Sequence, residues 1–596
     1  MLESLTPEVR RRLVDCAMGR LPADLVIRQG RWVSVQTGEV IPLTDLAVLA
    51  GRIAFIGDDA RHCIGRETEI VEARGRFLVP GLIDGHVHVE SSMLTVTEFV
   101  RAVVPHGTTG AIIDPHEMAN VFGLRGIRLM LDEASQQPIS IWVEVPSCVP
   151  SAPGLETPGA SLSADEVAEA LAWDGIIGLG EVMDYGGVAA NSPKMRAEID
   201  ASRKLGKVVS GHYPALDLGR RFHAYVAGGV DDDHEGTRKE DAIARARQGM
   251  RAMLRYGSGW HDVAAQVGAI TDDGLDPRHF VLVTDDAHAQ TLVREGHMDR
   301  VVRHAIQCGL PPMIAIQMAT LNPAEHFGLS REVGLLAPGR CADILLVADL
   351  ETMDVETVFA AGKAIARSGA WSMPLGPRAV AAEFAKSVRL GRPLAAQDFR
   401  VASNGNPSTQ ANVIGVVENQ APTVWLTKTL PVRKGEAQMD SGQDVAKIAV
   451  VDRHHRSGRV QTAFVAGFGF GPRCAVASTV AHDSHNLIVV GTDEEQMARA
   501  ANALAETGGG MLAVRDGQVL AAVELPLGGL MSNKPAGEVA AAAESVLDAF
   551  RTCGCRLNNP NMQLSLLALA VIPELRLTDL GLVDVERAAF VPVVDP

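Results

Sequence analysis

Aromatic side chains are scarce, 4% of 596 residues, and no stretch approaches the roughly 20 apolar residues that a membrane-spanning helix requires. The best candidate, Met562 to Ile572, is too short and follows Asn-Pro, so a membrane partner is not expected. Cysteine is also sparse. The eight residues at 16, 63, 148, 308, 341, 474, 553 and 555 are scattered, and the one close pair, Cys553 and Cys555, has the spacing of neither a disulfide framework nor a usual zinc clip. A reducing cytoplasm fits that usage. There is no basic surplus: 55 Lys+Arg against 72 Asp+Glu give a net charge of -17, so nucleic acid would be repelled rather than steered. The start, Met1 to Glu8, lacks the basic-then-apolar order of a secretory signal. Internal repeats, low-complexity tracts and a sustained heptad seam are absent as well.

What is present is an ordinary globular composition, 47% hydrophobic and 21% charged, in a chain long enough for about three folding units. After an amphipathic helix near Glu8 to Met18, short β-rich runs at 24–27, 32–35, 46–49 and 53–56 are punctuated by Gly30, Gly51 and Gly57. Similar runs return at 343–346 and 357–360. A small β-sandwich built from both flanks, residues 1–76 and 334–390, explains the pattern. Between them, over 77–333, strands and helices alternate as in parallel α/β architecture. Eight strands end near His86, Asp114, Glu144, Gly180, Gly211, Asp231, Leu254 and Thr284. Eight strands in about 250 residues describe a (β/α)8 TIM-type barrel. The last third, 391–596, reads as a C-terminal α+β domain, entered through a linker at Arg389 to Asp398, with strands at 412–417, 423–426, 447–451, 461–465, 486–490 and 517–524 and helices at 494–506 and 537–552.

The residues that follow the barrel strands carry the chemistry. His86 and His88 alternate on one strand and so point the same way, the arrangement of two nitrogen ligands to one cation. Glu181 follows the fourth strand, His212 the fifth, His234 the sixth, and Asp285 the eighth; in such a barrel these ends meet on one face. Glu181 bridging two divalent cations, one with His86 and His88 and the other with His212 and His234, would acidify a water toward neutral pH. Asp285 is placed to ligate, to take the proton of that water and to pass it to a leaving nitrogen. His106, His223 and His297, with Trp173 and Met183, are read as structural. Gly467 to Gly471 is no phosphate loop, because lysine and a following helix are missing.

PGLIDGHVHVESSM (80–93), GTTGAIIDPHEMANVFG (107–123), GLGEVMD (178–184), SGHYP (210–214), DDHEG (232–236), TDDAH (284–288), ATLNPAEHFGL (319–329) and GLLAPGRCADILL (334–346) resemble the amidohydrolase superfamily and, within it, the adenine deaminase family. AVASTVAHDSHNLIVVG (475–491) and LPLGGLMS (525–532) extend the resemblance across nearly the whole chain. It implies hydrolysis of adenine to hypoxanthine and ammonia in purine salvage or catabolism, with two divalent metal ions, Mn or Fe favoured over Zn. His86, His88, Glu181, His212 and His234 fall on metal positions and Asp285 on the general-base position. A dimer or higher homo-oligomer is the superfamily habit. Many dinuclear relatives bridge their metals with a carboxylated lysine from the fourth strand; Glu181 in its place separates this chain from hydantoinase and dihydroorotase types. Better-known nucleobase deaminases place a glutamate three residues after the fifth-strand histidine, where this chain has Ala215. The proton donor to the purine N1 is therefore expected elsewhere, at Glu235 first and Glu90 second.

Glu90, Ser91, Ser92, Asp114, His116 and Asp286 are expected to frame the purine edge, although Asp114 serves equally as a partner of a metal-bound histidine. His482, Asp483 and His485, from the stretch 481–486, either close over the active site, bind a further cation or form a plain polar turn. Two other readings compete: a lactam or imide ring hydrolase, and a catalytically silent barrel acting as a scaffold.

Overall fold

The computed structural model describes residues 5–374, 382–403, 406–418 and 420–595; the first four residues of the start read above lie outside this range. Leu82–His88, Thr108–Ile113, Ser140–Pro146, Ile176–Val182 and Val208–Gly211 pair in parallel in chain order, and Asp285–Asp286 pairs with the free edge of Leu82–His88. Asp232–Asp233, Arg251–Arg255 and Phe280–Val283 form a second parallel run. One seam closes where the Asp231 amide donates to the Val209 carbonyl at 2.8 Å. The other closes because Phe280–Val283 leads directly into Asp285–Asp286. The result is a (β/α)8 barrel.

Local sequence explains the elements. Leu82–His88 is buried at all seven positions, as a strand covered on both sides must be. Its Gly85 is required: a Cβ there would lie 2.8 Å from Val281 Cγ1. Surrounding helices start on clear signals. Ser163 and Glu166 make a reciprocal capping box before Ala164–Leu171, and Ser192 caps Pro193–Lys204, which begins on proline.

Both flanks share one nine-stranded sheet that curls around Ile27, Leu46, Ile344 and Phe359, and helix Pro7–Ala17 covers part of it through Val9, Leu13 and Cys16. The runs 24–27 and 32–35 prove to be one strand, Leu25–Ser34. Gly30 does not break it, because the missing side chain makes room for Leu78, whose Cγ lies 2.5 Å from where a Cβ would be. Phe77–Pro80 pairs with Ile344–Val347 and with Arg31 and Trp32. It therefore belongs to this sheet, and the barrel proper starts at Leu82.

The C-terminal domain holds a ten-stranded sheet, including Cys474–Ser478 and Gly510–Arg515, two strands that its sequence pattern did not reveal. Helix Glu494–Thr507 packs on one face through Met497, Ala501 and Leu504. Leu390 and Leu394 are buried in that same core, so Arg389 to Asp398 is an integral part of the domain rather than a free tether. The amides of Gly467 and Gly469 donate to the Asp444 carboxylate at 3.0 and 2.8 Å, which accounts for that glycine-rich stretch. Among the described residues no helix is long and apolar enough to cross a membrane.

Candidate metal centre and substrate cavity

The strand ends converge. Glu181, at the end of Ile176–Val182, is buried and surrounded by four imidazoles: His86 Nε2 and His88 Nε2 lie 3.0 and 2.9 Å from its Oε1, His234 Nε2 lies 3.4 Å from Oε1, and His212 Nδ1 lies 3.2 Å from Oε2. Asp285 Oδ1 stands 3.7 Å from His86 Nε2 and 3.3 Å from His88 Nε2. One ligand atom each from His86, Glu181, His234 and Asp285 falls within 4.8 Å of all the others. Both ring nitrogens of His212 and of His234 are buried without a hydrogen-bond partner, a costly state that a bound cation relieves. His88 Nδ1 donates to the Asp114 carbonyl at 2.9 Å, which fixes the tautomer that turns Nε2 toward the centre. The donor set is nitrogen and oxygen without thiolate, and it fits divalent cations.

Electrostatics follow the geometry. Burial would raise the Glu181 carboxyl, but the surrounding imidazoles of His88, His212 and His234 outweigh it and hold the group well below the usual carboxylate range. Burial likewise opposes ionisation of Asp285, yet a hydrogen bond with His88 and the charges of His234 and Arg255 depress its pKa. Arg255 Nη1 donates to Asp285 Oδ2 at 3.0 Å, Nε donates to Asp262 Oδ2 at 2.9 Å, and Nη1 also pairs with Glu235. Asp285 adopts φ +62, a left-handed conformation costly for a residue with a side chain and common where a site dictates orientation.

His88, Glu181, His212, His234 and Asp285 form the floor of a cavity of about 570 Å³. His116, Glu235, Asp286, His482 and Asp483 line it with the metal-facing groups. Asp286 is oriented by Ser91 Oγ, which donates to Oδ1, and by Trp260 Nε1, which donates to Oδ2 at 3.1 Å. Ser92 does not frame the cavity: it sits in a 3-10 turn and donates to the Val89 carbonyl at 2.5 Å. Asp114 does not line the cavity; its carboxylate packs within 2.3 Å of where a Gly180 Cβ would be, and its carbonyl holds His88. Glu90 borders a separate small cavity of about 40 Å³, where burial and neighbouring Glu117 push its carboxyl up to about 8.

His482 and Asp483 reach the cavity from the C-terminal domain, with His116, His482 and Asp483 forming a compact group. His485 does not join them. Its backbone is left-handed (φ 50), and its Nδ1 accepts from the Ala481 amide at 3.2 Å. His106, 3.3 Å from Asp299, and His297, 3.1 Å from Asp84, lie outside the cavity, as does Trp173 under the Arg128 guanidinium. Met183, in contrast, lines the wall. Sequence reasoning missed Glu117 and Arg255. Glu117 is the second residue of the helix His116–Phe122 that follows the second strand, the same topological place as the other site residues, so that position was its available signal. Both of its carboxylate oxygens are buried without a hydrogen bond, 3.4 Å from His116 Nε2 and 3.8 Å from His88 Nδ1. Burial raises its pKa.

Residues 77–257 and 238–365 match the amidohydrolase family, and residues 420–589 match the adenine deaminase C-terminal domain. The chain is 58% identical over 587 residues to adenine deaminase 3 of Rhizobium meliloti (strain 1021), covering 98% of this chain and 99% of that protein. It is 58% identical over 592 residues to adenine deaminase of Ruegeria sp. (strain TM1040), covering 99% and 98%. The Moorella thermoacetica adenine deaminase is 47% identical over 588 residues, covering 98% of each. Among solved structures, the β-aspartyl dipeptidase of Fervidobacterium islandicum AW-1 aligns with a TM-score of 0.45 at 16% identity, over 59% of this chain and 98% of that one. A barrel closed by a histidine-carboxylate floor, followed by a matching C-terminal domain, belongs to one group: this chain is a member of the adenine deaminase family of the amidohydrolases.

Proposed function

We propose that the chain hydrolyses adenine to hypoxanthine and ammonia, in purine salvage or catabolism within the cytoplasm, using two divalent cations held by His86, His88, Glu181, His212, His234 and Asp285. The observation that carries this reading is the single carboxylate, Glu181, within 3.4 Å of a nitrogen of each of four histidines at the floor of a cavity roomy enough for a purine. The names of the relatives supply the substrate. Bound cations would lower the pKa of an attacking water toward 7. An all-nitrogen-and-oxygen donor set accepts Mn, Fe and Zn, and availability decides among them.

Asp285 takes one proton from the attacking water and delivers it to the exocyclic nitrogen, so that the C6–O bond forms and the C6–N6 bond breaks with ammonia leaving. Arg255 holds Asp285 in place for that transfer. Ring nitrogen N1 needs a proton as charge develops there. Glu235 faces the cavity but is ion-paired with Arg255, whereas Glu117 faces it with neither oxygen in a hydrogen bond, its neighbours being the imidazoles of His116, His88 and His482 at 3.4 to 3.9 Å. Of the two, Glu117 is better placed to donate at N1, and the hydroxyl proton left on C6 restores it; Glu235 helps Arg255 orient Asp285. Glu90 lines the separate small cavity and not this one.

Loss of adenine absorbance with appearance of hypoxanthine, on protein loaded separately with Mn, Fe and Zn, tests the reaction. No ammonia with any of the three would end the proposal. Glu117→Gln is expected to lower kcat by about 10² to 10⁴, the usual contribution of a positioned proton donor, and Glu235→Gln by no more than about tenfold. The reverse ranking would return the donor role to Glu235.

A further inference from the structure

The outer wall of the cavity is not made by the barrel. Ala421 and Pro422, with Leu566, Leu569, Ile572 and Pro573, bring it in from the C-terminal domain. Behind this wall lies Arg576, fully buried. Its guanidinium binds main-chain carbonyls: Nε donates to Ile572 at 2.8 Å, Nη1 to Leu566 at 3.0 Å, and Nη2 to Ala421 at 2.6 Å and Pro573 at 3.1 Å. Each of those four residues also lines the cavity.

We infer that Arg576 is a positioning residue for substrate binding, setting the wall against which the purine rests without touching it. A buried charge held by carbonyl dipoles is a poor way to add stability, because desolvation consumes most of the gain. It is a good way to fix spacing. Guanidinium is planar and rigid, and its fork holds several acceptors at set distances from one another, which an aliphatic side chain of equal volume cannot do. Here it ties the chain near residue 421 to the turn of chain from 566 to 573, two segments about 150 positions apart. Thr423 adds to the tie: its amide donates to the Pro573 carbonyl at 2.9 Å, and its Oγ1 donates to the Leu575 carbonyl at 3.0 Å.

The wall communicates with the polar side of the site. Met562, Leu566 and Leu569 cluster with Trp260 of the barrel, whose indole donates to Asp286. An apolar wall facing a row of hydrogen-bonding groups suits a flat heteroaromatic base. Loss of the brace would loosen base binding while leaving the metal-facing groups where they are.

The inference rests on the adenine reading, and the test separates the two. Arg576→Met and Arg576→Lys, in the full-length metal-loaded protein, are compared with the parent for kcat, KM and metal content. Arg576→Met is expected to raise KM for adenine at least about tenfold, with kcat within about threefold and the same metal content, as loss of uniform binding requires. Arg576→Lys, which keeps the charge but not the fork, is expected to fall between Met and parent. Thr423→Val, a milder cut in the same tie, is expected to raise KM about threefold and stands in if Arg576→Met does not fold. Calorimetric titration with hypoxanthine reads the wall without turnover, with binding about tenfold weaker in Arg576→Met. Unchanged KM and hypoxanthine affinity, or a fall in kcat at constant KM, would overturn the inference even if the parent deaminates adenine. A parent that is inactive on adenine but binds hypoxanthine defeats the deaminase reading alone, and the titration still decides the role of Arg576; a parent that neither deaminates adenine nor binds hypoxanthine overturns both.

Discussion

Glu181→Gln is expected to reduce adenine deamination by about 10⁴-fold or more, equivalent to about 5.5 kcal/mol of barrier, and to leave the purified protein with fewer than two cations per chain. Glu181 is the carboxylate that His86, His88, His212 and His234 all approach within 3.4 Å. Glutamine has nearly the same shape but removes the negative charge and presents N–H donors to ring nitrogens that should face a cation. Two cations would then repel one another across a neutral group. The imidazoles that now depress the Glu181 carboxyl would lose their counter-charge, so the change acts on the site rather than on the fold. Metal analysis after gel filtration, together with steady-state rates in excess metal, is the measurement. A variant that keeps both cations and works within tenfold of the parent would show that Glu181 does not bridge.

The barrel and the gathering of histidines and carboxylates at one rim were legible because the information is local and repeated. His86 and His88 announce a strand by alternating, and Glu181, His212, His234 and Asp285 each follow an apolar β run. Strand polarity then brings all of them to one rim, whatever the distance along the chain. Ser92 and His485 failed for the converse reason. A 3-10 turn after His88 rotates Ser92 toward its own backbone, and His485, left-handed and bonded through Nδ1 to the Ala481 amide, packs against the His482 ring without lining the cavity. Sequence spacing carries no sign of either placement. The apolar wall was hidden differently. Residues 562–572 read only as an apolar run too short for a membrane, because what gives it meaning is Arg576 and residue 421, and no periodicity links carbonyls to a guanidinium that distant in sequence. Glu117 was available from position alone, one residue after His116.

Asp285→Asn is the complementary experiment, since it tests proton transfer while sparing most of the ligand set. Its expected effect is a loss of about 10³ to 10⁴ in kcat for adenine, the range for a group that serves as base and then as acid. The pH dependence has a definite sign. Burial opposes the charged form, but His88, His234 and Arg255 depress the Asp285 pKa below its ordinary value. The active carboxylate thus persists to low pH and is lost only as pH falls through that depressed pKa; bound cations push in the same direction. The rate of the parent should therefore show no Asp285-dependent decline between pH 6 and pH 8, and an acid limb in that window would have to come from another group. Leaving-group chemistry gives the sharper test. Ammonia departs only after its nitrogen is protonated, whereas chloride needs no proton, so 6-chloropurine bypasses the delivery step. Asp285→Asn should lose at least about tenfold less on 6-chloropurine than on adenine. Equal losses on both substrates would assign Asp285 to metal binding or water placement alone and remove it from the delivery of the proton.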